Sequence, residues 1–262
     1  MAKKPSTYVA KPVDENGIAH YTADDNQTWH ELITRQTPIL NNRACDEYMH
    51  GLGLLNLPDD RIPQCHEVNA ILQSTTGWAI EPVAALIPFD KFFTLLANRK
   101  FPAATFIRRR DELDYLQEPD MFHEVFGHCP LLTNQAYADF TYTYGKLGLK
   151  ASPEDRAMLA KLYWFTIEFG LIESAKGTRI YGGGILSSYN ETLYALESKT
   201  PERKSFEPLE VLRTPYRIDI IQPIYYVIKN FDTLFHLTDM DLIGLIREAR
   251  HLGMHKPVYS TE

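Results

Sequence analysis

Residues 119–130 read Pro119-Asp120-Met121-Phe122-His123-Glu124-Val125-Phe126-Gly127-His128-Cys129-Pro130. Pro119 suits the first turn of a helix, where its missing N–H costs nothing. Pro130 lacks the N–H that a continuing helix needs, and it disfavours helical geometry at Cys129. Gly127 can take the left-handed conformation that commonly closes a helix. The stretch therefore predicts a short helix with His123 in its last turns and His128 at or just past its end.

Histidines four residues apart share one helical face, as in the zinc-peptidase motif His-Glu-x-x-His. Here the spacing is five, which on a regular helix separates them by roughly 140° around the axis. They converge only if the helix distorts or stops between them. Two neutral imidazoles need a further ligand, and two histidines plus one carboxylate form the non-haem iron(II) arrangement that leaves three positions open. In a chain with nine histidines, the pair by itself reads equally well as two structural residues.

The carboxylate is found forty residues on. Ser152-Pro153-Glu154-Asp155 has the form of a helix start, with Ser as N-cap and Pro at the first helical position. The helix it opens carries Leu159, Leu162, Tyr163, Trp164, Phe165, Ile167, Phe169 and Leu171 on every face, so the segment is expected to be deeply buried. Glu168 sits among them. A buried carboxylate is costly unless paired, hydrogen-bonded or bound to a metal. An ion pair with an Arg or Lys is the alternative; beside the histidine pair, a third metal ligand is favoured.

Around this centre the pattern is mostly helical. Helices are expected from Asp25 to about Gly51, kinked or divided at Pro38, from Pro63 to near Gly77, and from Pro88 to Ala97. Others run from Asn134 to Tyr144, closed by Gly145, after Ser188, and from Thr238 to Leu252, stopped by Gly253. Short strands are expected at Trp78–Val83, with Pro82 placing it at an edge, at Ala104–Arg108 and at Tyr225–Ile228. Lys176-Gly177 predicts a hairpin, and Thr200–Glu210 reads as loop. The glycines of Tyr181-Gly182-Gly183-Gly184 either admit a ligand close to backbone or serve a turn. Residues 1–22 form a loosely ordered arm and 23–262 a single catalytic domain of mostly α class with a few short β-strands (α+β).

Composition bounds the remainder. Hydrophobic content of 44% with 23% charged residues is that of a soluble globular protein. A formal charge of −7 argues against a nucleic-acid surface. The three cysteines, Cys45, Cys65 and Cys129, form no Cys-x-x-Cys pattern and suit a reducing compartment. Neither a signal peptide nor a membrane span is recognisable, so a cytoplasmic protein is expected.

Taken together, Phe106-Ile107-Arg108, Tyr115 through Pro130, Leu159 through Leu171, Tyr181 through Ser188 and Gln222-Pro223 through Val227 resemble the pterin-dependent aromatic amino acid hydroxylases. The shorter bacterial branch acting on phenylalanine is the most similar, since no regulatory domain precedes these segments and no heptad helix follows them. Where animal enzymes of the family carry Thr-Pro-Glu-Pro-Asp, this chain has Leu116-Gln117-Glu118-Pro119-Asp120.

The resemblance implies a helical catalytic domain with iron in an open cleft, Fe(II) held by His123, His128 and Glu168, and a tetrahydropterin (tetrahydrobiopterin or a bacterial analogue) as the second cofactor. It implies that Arg108 holds the substrate carboxylate, Asp120 orients that Arg, and Pro119, Trp164 and His123 border the aromatic ring. Tyr115, Gly184 and Ser187 would lie near the amino acid backbone. Phe92 would stack on the pterin, with Ile87 and Glu124 near it, and Tyr163 would sit close to the iron. The implied reaction is hydroxylation of L-phenylalanine to L-tyrosine by O2, in phenylalanine catabolism, by a monomer or small oligomer. Alternatives are a tyrosine or tryptophan hydroxylase of the same family, a zinc hydrolase using the same three ligands with Glu124 as base, or a metal-stabilised binding protein for aromatic amino acids.

Overall fold

Thr22 starts the first helix, α1 (Ala23–Leu40), by a reciprocal cap: its hydroxyl accepts the Asp25 N–H while the Asp25 carboxylate accepts the Thr22 N–H. The computed structural model describes residues 8–84, 87–114 and 118–259. Pro38 lies inside the last turn of α1 and does not divide it; the chain breaks two residues later and resumes as α2 (Asp46–Leu55). Next comes α3 (Cys65–Thr75), opened by a Gln64–Glu67 box, and then strand β1 (Ala79–Val83). Helix α4 (Phe89–Leu96) follows, and strand β2 (Lys100–Ala104) pairs parallel with β1. The strand expected at Ala104–Arg108 is thus displaced: β2 ends where it was expected to begin. Its partner is β1, far back in the sequence, and residues 105–109 instead run on toward the functional site.

The central stretch is helical from Met121 to Leu132, with one widened segment. Residues His123–His128 form a π-helix, continued by α5 (Cys129–Leu132). Two expectations are corrected here. Pro119 precedes the helix rather than opening its first turn, and Asp120 accepts the His123 N–H as the cap. Gly127 does not end the helix in a left-handed conformation. A Cβ there would lie 2.7 Å from the Gly183 carbonyl oxygen, so the glycine permits a close approach of backbone. Pro130 is accommodated in the first turn of α5.

Helix α6 (Gln135–Lys150) runs through Gly145 instead of stopping there, because that residue packs directly on Leu96 and Ala97 at the end of α4. Helix α7 (Pro153–Tyr163) begins at Ser152, whose hydroxyl accepts the Asp155 N–H, and continues into a second π-helix, Trp164–Glu168. The hairpin β3 (Leu171–Ile172) and β4 (Arg179–Ile180) turns through Ser174–Gly177 as expected. Then come α8 (Gly183–Leu186) and α9 (Tyr189–Glu197), the latter capped by Ser188.

Thr200–Glu210 is not loop. It contains β5 (Glu202–Ser205) and opens α10 (Pro208–Arg213). The strand is polar and at the sheet edge, so no apolar alternation marks it. It pairs parallel with β6 (Ile224–Ile228), giving the order β4-β3-β6-β5. The last expected helix is α12 (Leu242–Leu252), which starts later than Thr238 because the Asp241 carboxylate caps it, and α11 (Asp232–Asp239) before it was not expected.

One buried cluster, from Trp29 through Phe126, Leu162 and Tyr225 to Ile246, joins helices and sheet into a single domain of mostly α class. Tyr21 packs against it, Tyr8 stacks at 4.7 Å on Phe106 in a second small cluster with Ala104, and Ala19 is buried. Among the described residues no helix is long and apolar enough to cross a membrane.

Candidate functional site

The two π-helices solve the spacing problem of the histidines. Hydrogen bonds in a π-turn run between residues five apart, so such residues stack on one side of the helix. His123 and His128 therefore face each other, Nε2 to Nε2, at 3.1 Å. The second π-helix ends at Glu168, whose Oε2 lies 3.5 Å from His123 Nε2 and 3.4 Å from His128 Nε2. One donor atom from each of the three residues lies within 4.8 Å of the others.

Neighbouring groups fix their orientation. His123 Nδ1 is 2.9 Å from Ser187 Oγ, which donates in turn to the Gly183 carbonyl at 2.8 Å. Phe101 packs on the His128 ring at 4.9 Å. Burial, opposed by the Glu168 carboxylate, pushes the His123 imidazole down to about 4. Burial also raises Glu168, yet His128 and His123 outweigh it and hold this carboxyl below its ordinary value. A neutral His123 beside an ionised Glu168 is the protonation state a cation requires.

A cavity of about 590 Å3 opens beside these donors, lined among others by Arg108, Pro119, His123, Trp164, Glu168, Gly184 and Ser187. Arg108 is buried, at 4% exposure, and is held by the fully buried Asp120: Nε and Nη2 donate to its two oxygens at 2.8 and 3.0 Å. Nη1 makes no hydrogen bond among the described residues, and the guanidinium faces the cavity. Trp164 stacks on Tyr216 at 4.9 Å and donates its Nε1–H to Gln222 Oε1 at 3.0 Å.

The structure thus gathers seven of the singled-out residues around one cavity. Asp120 stands behind Arg108. Glu124, Tyr163, Phe92 and Ile87 do not line the cavity. Glu124 is buried next to the donors, and burial, then Glu168 and Asp120, push its carboxyl well above the usual range. Tyr163 meets Phe92 edge-on at 5.2 Å, and its hydroxyl is raised chiefly by burial and next by Glu168. Ile87 lies on the approach to α4. Tyr115 falls outside the described residues. Sequence reasoning did not select Phe169, Glu191, Ile220 and Ile221 as lining residues. A glutamine beside Pro223 at the head of the apolar run Ile224–Ile228 was the available signal for Gln222.

The chain is similar to known proteins over most of its length. The family model described as biopterin-dependent aromatic amino acid hydroxylase matches residues 8–239. A phenylalanine-4-hydroxylase of Pseudomonas aeruginosa is 57% identical over 256 residues, covering 98% of this chain and 97% of the relative. The apo structure of the cold-active phenylalanine hydroxylase of Colwellia psychrerythraea superposes with a TM-score of 0.93 at 54% identity, over 95% of this chain and 97% of that one. Chromobacterium violaceum phenylalanine hydroxylase with bound oxidised Fe(III) is similar at a TM-score of 0.88 and 45% identity, over 94% and 88% of the two chains.

Proposed function

Because the chain belongs to the biopterin-dependent aromatic amino acid hydroxylases, we propose that it is an iron- and tetrahydropterin-dependent monooxygenase that converts L-phenylalanine to L-tyrosine with O2. The observation that carries this reading is the convergence of His123, His128 and Glu168 beside the cavity that Arg108, His123 and Glu168 line.

The donor set fits the metal. Two imidazoles and one carboxylate are the facial triad of non-haem iron(II), and burial holds His123 neutral while Ser187 orients its ring. When bound, iron supplies the redox route to O2 and the tetrahydropterin supplies two electrons.

The chain's own residues place and enclose the substrate. Arg108 receives the amino acid carboxylate with the guanidinium nitrogen that Asp120 leaves free, a charge-assisted contact. Pro119, Trp164 and the His123 ring border the aromatic side chain, and Gly184 and Ser187 lie along its backbone. Phe92 and Ile87 form the apolar side of the pterin site, and Glu124, whose carboxyl burial pushes up, approaches the pterin. Tyr163 would sit close to the metal. The buried walls keep water from the reacting groups. The enzyme works in the cytoplasm as a monomer or small oligomer, on small molecules and not on nucleic acid.

An aerobic assay with Fe(II), a tetrahydropterin and each aromatic amino acid, with products separated by chromatography, tests the reading. Pterin-dependent formation of tyrosine from phenylalanine is expected. Zinc as the metal of protein purified anaerobically, with no pterin-dependent oxygen uptake, would overturn it.

A further inference from the structure

The wall of the cavity opposite Arg108 is built by two separate pieces of chain: the indole of Trp164, from the second π-helix, and the loop 217–221, which presents Ile218, Ile220 and Ile221. One side chain joins them. Gln222 is buried at 1% exposure, and every polar atom of its amide is used. Oε1 accepts the Trp164 Nε1–H at 3.0 Å, while Nε2 donates to the Arg217 carbonyl at 3.0 Å and the Ile220 carbonyl at 2.8 Å. Turning the amide over would set its NH2 against an indole N–H and its oxygen against two carbonyls, so only one orientation satisfies the site.

Gln222 is itself held from behind. Its backbone N–H donates to Glu191 Oε1 at 3.0 Å, and the same oxygen accepts the Tyr225 hydroxyl. Glu191 belongs to α9 and Tyr225 to β6, so the position of Gln222 is set by the body of the fold. The indole has no comparable constraint of its own. Tyr216 and Phe169 stack on its faces, at 4.9 and 4.4 Å, and a stacked ring can still slide or turn in plane. The hydrogen bond to Gln222 removes that freedom.

We propose that Gln222 is a positioning residue that locks the Trp164 indole to the loop 217–221 and thereby sets the size of side chain the cavity accepts. The proposal rests on the functional reading above and adds a determinant of selectivity to it. With the lock in place the wall is rigid and close. Without it the indole and the three isoleucines shift independently, and a larger ring system gains room.

The test is Gln222→Met, which keeps the volume and removes both halves of the amide. It is expected to raise the ratio of kcat/KM for tryptophan over phenylalanine about tenfold, a change typical of a reshaped apolar pocket. The phenylalanine KM should rise while kcat and the pterin KM stay within about twofold of the parent, the pattern of lost ground-state placement. Introduced into Trp164→Phe, which has no indole N–H, the same substitution should raise the ratio by less than it does in the parent, because only the loop half of the lock is left to lose. In zinc-substituted protein labelled at its three tryptophans, Gln222→Met should move one indole N–H resonance and leave those of Trp29 and Trp78 in place. Where Gln222→Met does not fold, Gln222→Glu takes its place: it keeps the acceptor for the indole and sets a carboxylate oxygen against the two loop carbonyls, so the ratio should rise with the indole resonance retained. An unchanged ratio, an equal change in the Trp164→Phe background, or unmoved indole resonances in Gln222→Met would overturn the proposal. Absence of turnover in the parent enzyme would overturn the functional reading instead, and the resonance measurement would still decide the positioning claim.

Discussion

Asp120 grips Arg108 at three points: its carboxylate accepts the Arg108 backbone N–H at 2.9 Å as well as Nε and Nη2 of the side chain. The same carboxylate caps the histidine helix through the His123 N–H at 2.9 Å. Substrate anchor and metal ligand are therefore registered to one another by a single buried side chain. Asp120→Asn leaves Arg108 buried without its counter-ion, and breaking such a pair costs about 3–5 kcal/mol. Urea denaturation should show a loss of that order, with a raised phenylalanine KM. Unchanged stability would mean that the pair is not structural.

Arg108→Lys keeps the charge and loses the planar fork. One ammonium cannot satisfy both Asp120 oxygens and also meet a carboxylate in the cavity. The phenylalanine KM should rise by roughly 10-fold or more, the loss of one charge-assisted hydrogen bond, with the pterin KM near that of the parent. Equal weakening of both constants in steady-state assays would place Arg108 outside substrate binding.

Replacing His123, His128 or Glu168 by Ala should abolish hydroxylation and lower the iron content, while circular dichroism shows the fold retained. Iron content and activity like those of the parent in Glu168→Ala would remove this residue from the ligand set.

Glu191 offers a pH signature away from the metal. Burial raises its carboxyl above the ordinary value of 4.5, against the opposing hydrogen bonds of Tyr225 and the Gln222 N–H. A raised carboxyl contributes stability below the unfolded value, and that contribution is lost as pH rises through the folded one. Glu191→Gln abolishes the titration. Measured from pH 4.5 upward toward neutrality, the stability of the variant should therefore gain steadily on that of the parent. A constant difference across this range would show that the carboxyl is not perturbed.

Substrate choice follows from the wall of the cavity. Ile218, at 67% exposure on the rim, together with Ile220 and Ile221, offers a phenol hydroxyl no partner. Where bound substrate covers these side chains from water, a hydroxyl left unpaired against them costs roughly 1–3 kcal/mol. With equal phenylalanine, tyrosine and tryptophan, tyrosine should be the main product, and predominance of dihydroxyphenylalanine or 5-hydroxytryptophan would refute this.

Much of the site could be read from local chemistry. Glu168 stood out because it is a lone carboxylate in an apolar helix, and Ser152, Ser188 and the turn at Lys176-Gly177 carry their own capping and turn signals. The misreadings were of tertiary origin. Nothing local tells that the helix widens at His123 instead of stopping at Gly127, where the glycine serves a close approach of the distant Gly183 backbone. Gly145 likewise signals a helix end, but here it serves contact with α4. Strand β5 is Glu-Arg-Lys-Ser, a sequence that becomes a strand only because β6 offers it an edge. Gln222 was quoted for its place beside Pro223, yet its link to Trp164 joins residues from different elements and has no signature in either.

The contact between Gly127 and Gly183 bears on how the enzyme matures. A Cβ on Gly183 would lie 2.4 Å from the His128 ring, so α8 seats itself directly on the ligand-bearing helix. Until that docking is complete, the newly made chain has neither the Ser187 hydroxyl on His123 nor a fixed His128. Metal capture is therefore a late event, coupled to long-range association and not to formation of the histidine helix. During refolding, iron uptake should trail the recovery of helical signal.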